Sequence, residues 1–289
     1  MGGYFGTEIQ QRLQARVEAS RDFITTTPGA CEAGRIMSCD DLDRLGWDRI
    51  LEFLERDGIC GFRFIPSDRI AGLRDRLAGQ GYRLDTWDIF LADAETALAA
   101  SEAILSAGLP DDLREIDGPT DPEDAYTRQV QLLMSEAGVV PFSGSMLTGL
   151  HGPATTIVVG DAEGTPVAAA HAYLPHNAFS DFRTYAWGGL VAVAVSQRGR
   201  RLGNYINARA VVGAVRDLGA THIYELVSAT NVPSRRMVEA CGLRHEPAFL
   251  SGMAVPADGG RFTRWDAGIS WTSGRGSETR RSRLGPDNI

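Results

Sequence analysis

Apolar positions at Ile9, Leu13, Val17 and Phe23 or Ile24 recur at helical spacing, which predicts a helix over residues 7–26. A second helix is predicted over residues 39–58, with Asp40 or Asp41 placed to cap its start and Gly58 its end. The run ICGFRFIP, residues 59–66, is apolar, short and closed by proline, so it reads as a strand. Ser67 then opens a helical pattern that ends at Gly81, and YRLDTWDIFLAD, residues 82–93, has the partial alternation of a strand. An alanine-rich helix is predicted over residues 92–108.

Residues 109–126, LPDDLREIDGPTDPEDAY, concentrate proline, glycine and aspartate and mark the best boundary in the chain. Beyond it the pattern predicts a strand at 113–116, a helix at 122–137, strands at 154–160, 166–174 and 183–195, a helix at 200–218 and a strand at 221–228. A helix starting at Asn231 or Ser234, Gly242, and a final strand follow. The closing succession of strand, helix, glycine and strand repeats that of residues 59–93: LRDRLAGQGYR lies over SRRMVEACGLR with the closing glycines aligned. The expected division is residues 1–110, residues 111–267, and a tail, 268–289, with too few apolar residues to bury and expected to be mobile.

Composition narrows the function classes. The formal charge of −8 opposes a nucleic-acid face, because neutralising phosphates needs a basic surface. No window approaches the ~18 to 20 apolar residues of a membrane helix, and the first twenty residues carry charges where a signal peptide has its apolar core, so no membrane association and a cytoplasmic location are expected. Gly6 stands where a myristoylation signal needs Ser or Thr. Cys31, Cys39, Cys60 and Cys241 show no metal-ligand spacing, which predicts buried thiols and no metal site. All 29 basic residues are arginine, which removes any lysine Schiff-base chemistry.

One stretch carries chemistry. The strand GGLVAVAV runs into the turn SQRGRRLG, and the turn runs into a helix with Leu202, Tyr205 or Ile206, Val212, Val215 and Leu218 on one face. Such a strand–turn–helix is an anion site: the amides at the helix start lack acceptors, glycines admit a ligand to the backbone, and the dipole adds about half a positive charge. Arginines can fork onto phosphate oxygens from outside.

This order resembles the acyl-CoA pyrophosphate loop of the GNAT superfamily of N-acetyltransferases, Q/R-x-x-G-x-G/A, with Arg198 at its first position and Gly203 at its second glycine. Arg201 replaces the first glycine. A later stretch, NVPSRRMVEACGL, is similar to the family's closing motif at Asn231, Ser234, Met237, Gly242 and Leu243. The resemblance covers about residues 112–256 and implies a mixed α/β fold of the α+β kind, with a mostly antiparallel, splayed sheet flanked by helices. It implies acetyl-CoA as co-substrate, held by Val193, Val195, Arg198, Gly199, Arg200, Arg201, Leu202, Gly203, Asn204, Asn231 and Ser234, and an amine of a small molecule or protein as acceptor. It also implies that the N-terminal segment, which has no R-G-x-G-x-G turn, is a degenerate copy of the tandem type. A monomer or homodimer is expected.

The family's usual acid, a tyrosine on the closing helix, is replaced by Val238. Glu225, in the otherwise apolar strand IYELV, is the base candidate, because burial raises a carboxylate's pKa, and Tyr224 is the acid candidate. The alternative for Glu225 is a strand carboxylate facing solvent or bound to an arginine, and for Tyr224 core packing, the commoner role of each residue type on a strand. His171, Tyr173, His176, Asp181 and Tyr185 are candidates for an acceptor pocket with Trp187 as core or wall, and Gly188 and Gly189 predict a bulge or a close ligand approach. A non-catalytic acyl-CoA-binding or interaction protein remains the alternative, on the strength of Val238 and Arg201.

Overall fold

The computed structural model describes residues 2–259. The tail expected to be mobile, residues 268–289, lies outside the described residues.

The chain opens with α1 (Glu8–Ala19) and α2 (Arg21–Thr26), which divide the first predicted helix at Ser20. The short hairpin of β1 (Ala30–Glu32) and β2 (Met37–Cys39) follows. Next come α3 (Leu42–Leu45), α4 (Trp47–Asp57), β3 (Cys60–Pro66), α5 (Ile70–Ala78), β4 (Tyr82–Asp93) and α6 (Ala94–Leu105). Gly46, with φ of 83°, breaks the second predicted helix into α3 and α4, and Gly58 ends α4 in the left-handed conformation. Past the proline-rich stretch the chain forms β5 (Arg114–Ile116), α7 (Ala125–Glu136), α8 (Gly144–Leu147), β6 (Ala154–Gly160), β7 (Pro166–Tyr173) and β8 (Tyr185–Val193). It closes with α9 (Leu202–Arg216), β9 (His222–Val227), α10 (Val232–Ala240) and β10 (Arg244–Pro256).

Among the described residues ten strands join one mixed, mostly antiparallel sheet in the order β1-β2-β3-β10-β4-β9-β8-β7-β6-β5. Only β2 with β3 and β8 with β9 run parallel. The centre of this order holds an exchange. β4 lies between β9 and β10, and β10 lies between β3 and β4, so each half of the chain places its last strand inside the other half's sheet. Swapping β2, β3 and β4 for β8, β9 and β10 reproduces the order in reverse, which is a local two-fold relation. The repeat of strand, helix, glycine and strand in the sequence corresponds to these two units.

Helices cover both faces. One core packs α6, α9 and α10 against Ala172, Ala186, Ile223 and Val227. Others bury α4 and α5 against Cys60, Phe62 and Ile65, and α7 and α8 against Val158, Ala169 and Ala192. Local sequence fixes the helix starts: Asp93, Asp124 and Asn231 accept backbone N–H bonds at the N-termini of α6, α7 and α10. Among the described residues no helix is long and apolar enough to cross a membrane.

Candidate active site

β8 stops at Val193. Ala194 donates its N–H to the Val167 carbonyl at 2.8 Å, and residues 195–197 make a single tight helical turn. Val195, expected as a strand residue, therefore sits in that turn and is well exposed; the turn closes on the Ala194 carbonyl, which leaves no further strand pairing. Gly199 has φ of 81°, and Arg201, at φ 63° and ψ 12°, is the N-cap of α9. Arg201 thus holds the left-handed geometry for which glycine is suited, at a position where the loop motif has glycine.

Among the described residues no side chain caps α9. Tyr205 donates to the Arg201 carbonyl at 3.2 Å, and the preceding N–H groups of Leu202, Gly203 and Asn204 have no intrahelical acceptor. The topologically equivalent helix of the N-terminal half, α3, starts differently. There the Asp41 carboxylate accepts from the Asp43 and Arg44 amides at 3.0 and 3.1 Å, so the donors are occupied by a resident anion. Arginines surround one helix start and aspartates the other.

The remaining loop residues divide by role. Arg200 forks onto Asp112 and also donates to Gln197, which fixes the loop rather than leaving the guanidinium free. Arg198 and Arg201 are exposed and make no ion pair among the described residues. Leu202 is buried and anchors α9 to the core, while Asn204 is half-buried. A Cβ at Gly203 would meet only Met237 Sδ, at 3.7 Å, so α9 and α10 approach each other there. The Asn231 side chain is committed to the α10 cap, accepting from the Ser234 N–H at 3.2 Å.

Beside this loop the sheet opens. β8 and β9 pair only from Tyr185 and His222 to Trp187 and Tyr224; from Gly188 and Glu225 onward they part. The free edge of β8 runs from Gly188 to Val193 towards the α9 N-terminus. Leu190, at φ 53°, stands in a bulge where the register against β7 shifts, one residue past the glycine pair that predicted it.

Glu225 lies at the vertex of the opening. It is almost fully buried, accepts from Asn207 Nδ2 at 2.8 Å, and is pushed up to about 7 by burial, against which the Asn207 hydrogen bond acts. A Cβ at Gly188 would lie 3.3 Å from Glu225 Cγ, so the carboxylate side chain occupies the space that the glycine leaves. Tyr224, the next residue on the strand, points to the opposite face. The two catalytic candidates therefore do not act from one side of the sheet.

Tyr224 is fully buried at the end of a hydrogen-bonded chain. Its hydroxyl is 3.2 Å from His176 Nε2, His176 Nδ1 is 2.6 Å from Asp40 Oδ2, and the Ser180 hydroxyl donates to the same oxygen at 2.7 Å. Burial pushes the Tyr224 phenol well up, and it lowers His176 although Asp40 opposes the shift, so both are neutral. His171 bonds Thr156 and is brought down to about 3 by burial, which makes it a neutral core residue. Tyr173 and Trp187 pack with it around Phe142. Tyr185 stacks on His222, and Asp181 is exposed.

Cys31, Asp40 and His176 also bring one potential ligand atom each within 4.8 Å of one another. His176 and Asp40 of this group are already joined by a short hydrogen bond. All four cysteines are buried thiols.

Sequence reasoning missed Arg63, Asp40 and Asn207. Arg63 had a usable signal: it is the one charged residue in ICGFRFIP, as Glu225 is in IYELV. Asp40 was indistinguishable from its neighbour Asp41, the residue that does the capping.

No protein-family model matches the chain, and no curated protein does. Among solved structures it is similar to a GCN5-related N-acetyltransferase from Kribbella flavida, at 14% identity and a TM-score of 0.53, covering 89% of this chain and 98% of that one. It is similar to a Drosophila protein at 12% identity and a TM-score of 0.52, covering 89% and 92%. A tandem GNAT protein from the clavulanic acid biosynthesis pathway matches at 13% identity and a TM-score of 0.50, covering 85% and 89%. These likenesses are likenesses of fold.

Proposed function

We propose that this chain, whose fold is that of the GNAT acetyltransferases, is an acyl-CoA-dependent N-acyltransferase that uses acetyl-CoA and transfers its acyl group directly to an amine. The observation that carries the reading is the uncapped, arginine-flanked start of α9 at the open end of the parting between β8 and β9. The N–H groups of Leu202, Gly203 and Asn204, aided by the helix dipole, suit the pyrophosphate, and Arg198 and Arg201 add charge from solvent. The unpaired edge of β8 up to Val193 offers backbone partners to the pantetheine amides. That lays the thioester at the vertex, beside the Leu190 bulge and Glu225.

Transfer forms a C–N bond and breaks the C–S bond. The amine must lose a proton, and the departing thiolate gains one or leaves as the anion. Glu225, at about 7, is matched to accept the amine's proton near neutral pH. Tyr224 stays protonated and is held by His176, but it faces the other side of the sheet from Glu225, so the thiolate that Val238 cannot protonate leaves as the anion or takes its proton from water.

One observation favours non-catalytic acyl-CoA binding instead: Val238 is fully buried in the α9–α10 core and presents no group to the opening. Release of thiol from acetyl-CoA across a panel of amines separates the two. The catalytic reading predicts turnover that declines below pH 7, and a loss of ~10²-fold or more in Glu225→Gln. Undiminished turnover in that variant removes Glu225 from the mechanism.

A further inference from the structure

The face of the sheet opposite α9 contains a buried cation that no carboxylate contacts among the described residues. Arg63 on β3 is only 8% exposed, its Nε has no hydrogen-bond partner, and no carboxylate pairs with it among the described residues. Its electrostatic neighbours are Tyr224, Tyr173 and Cys31, and it also donates a hydrogen bond to the Tyr173 hydroxyl. Burial raises all three of these acids, so all three are neutral at pH 7 and none balances the guanidinium. A buried guanidinium without a carboxylate partner is costly, and an anionic ligand is one way to complete it.

Local backbone shape confirms that the residue is aimed. Arg63 and Phe64 together oppose Ser251 in β10, a bulge marked by φ of 49° at Phe64. Phe64 packs edge-on against Tyr224 with ring centroids 4.7 Å apart. The bulge therefore turns both side chains towards Tyr224, the last paired residue of β9 before the sheet opens. Phe64 holds the left-handed region, which aromatic side chains rarely adopt.

Other buried polar atoms around the same face also lack partners: Asp40 Oδ1, Trp187 Nε1 and His171 Nε2. They are linked to Arg63 through neighbouring side chains. Asp40 bonds His176, which contacts Tyr224, while Trp187 and His171 pack on Tyr173. Donors outnumber charges here, and the single orphaned carboxylate oxygen is a place for an ammonium or amide hydrogen.

We propose that the acyl acceptor is an amine that also bears a carboxylate, of the amino-acid class, and that Arg63 seats the carboxylate on this face while the amine reaches the vertex beside Tyr224. The inference rests on the acyltransferase reading above. Arg63 is then a specificity-determining residue: its planar fork matches a carboxylate in two parallel hydrogen bonds.

The test is calorimetric titration of the standard amino acids, each against its decarboxylated amine, into the full-length protein saturated with CoA. At least one amino acid is expected to bind 10- to 100-fold more tightly than its amine, the range for a charge-assisted pair. In Arg63→Met, checked for folding by its thermal transition, that preference is expected to vanish while the affinity for CoA stays unchanged. Arg63→Lys is expected to restore part of it. No binding by any carboxylate-bearing amine, equal binding of the decarboxylated partners, or a preference that survives Arg63→Met would each overturn the proposal and leave the acyltransferase reading standing. Failure to saturate with CoA would overturn both.

Discussion

Arg201 concentrates the tension between stability and ligand binding in one residue. A side chain in the left-handed region costs about 1 kcal/mol that glycine does not, and this one makes no cap hydrogen bond among the described residues. Arg201→Gly is expected to raise the thermal midpoint by about 2 to 4 °C while weakening acetyl-CoA several-fold. A variant that gains stability and loses no affinity would remove the side chain from the phosphate site.

Glu225 supplies a second residue-scale prediction, with a definite sign. Its folded pKa of about 7 exceeds the ordinary 4.5, so between those values the folded state holds a proton that the unfolded state has lost. Stability therefore falls as pH rises through that window, by about 3 kcal/mol at most from this group. Buried Glu32, also raised to about 7, acts in the same direction. Glu225→Gln is expected to flatten part of the slope of the thermal midpoint between pH 5 and 7.5; an unchanged slope would place the shift elsewhere. The period of two along a strand already implied that Tyr224 and Glu225 face opposite ways. The chain of Asp40, His176 and Tyr224 was not legible, because it joins residues 136 and 48 positions apart.

At the scale of elements, the sequence specified the parts with strong local signals. Strand β6 spans the residues that its apolar run predicted, and β7, β8, β9 and α9 differ from their predicted bounds by at most two residues at either end. The hairpin of β1 and β2 escaped notice because its strands are three residues long and buried at every position, which leaves no alternation to read. Gly46 and Ser20 split helices whose apolar spacing continues across the break. Caps were readable: Asn231 starts α10 as its side chain suggests. Asn231→Ala is expected to cost about 1 kcal/mol, measured by thermal or denaturant unfolding, with acetyl-CoA affinity little changed if the residue acts only as a cap. A large loss of affinity at unchanged stability would make it a ligand contact.

At the scale of the whole molecule, the repeat in the sequence showed two similar units, but local pattern carries no information about which strand lies beside which. The exchange of β4 and β10 joins the two expected segments in one sheet; β10 and β4 lie between β3 and β9, and Phe64 of β3 still packs on Tyr224 of β9. Separating residues 1–110 from 111–289 would expose the paired edges of β3, β4, β9 and β10. Neither piece is expected to give a soluble folded monomer alone, and coexpression is expected to restore the fold. A cooperative unfolding transition from either piece by itself would contradict that dependence.

The central claim is that the start of α9 and the parting of β8 from β9 form an acyl-CoA cradle. Calorimetric titration with acetyl-CoA tests it most directly. Saturable binding at one site per chain is expected, weakened about 10-fold or more when Arg198 and Arg201 are both replaced by alanine. The absence of any binding heat up to millimolar acetyl-CoA would contradict it.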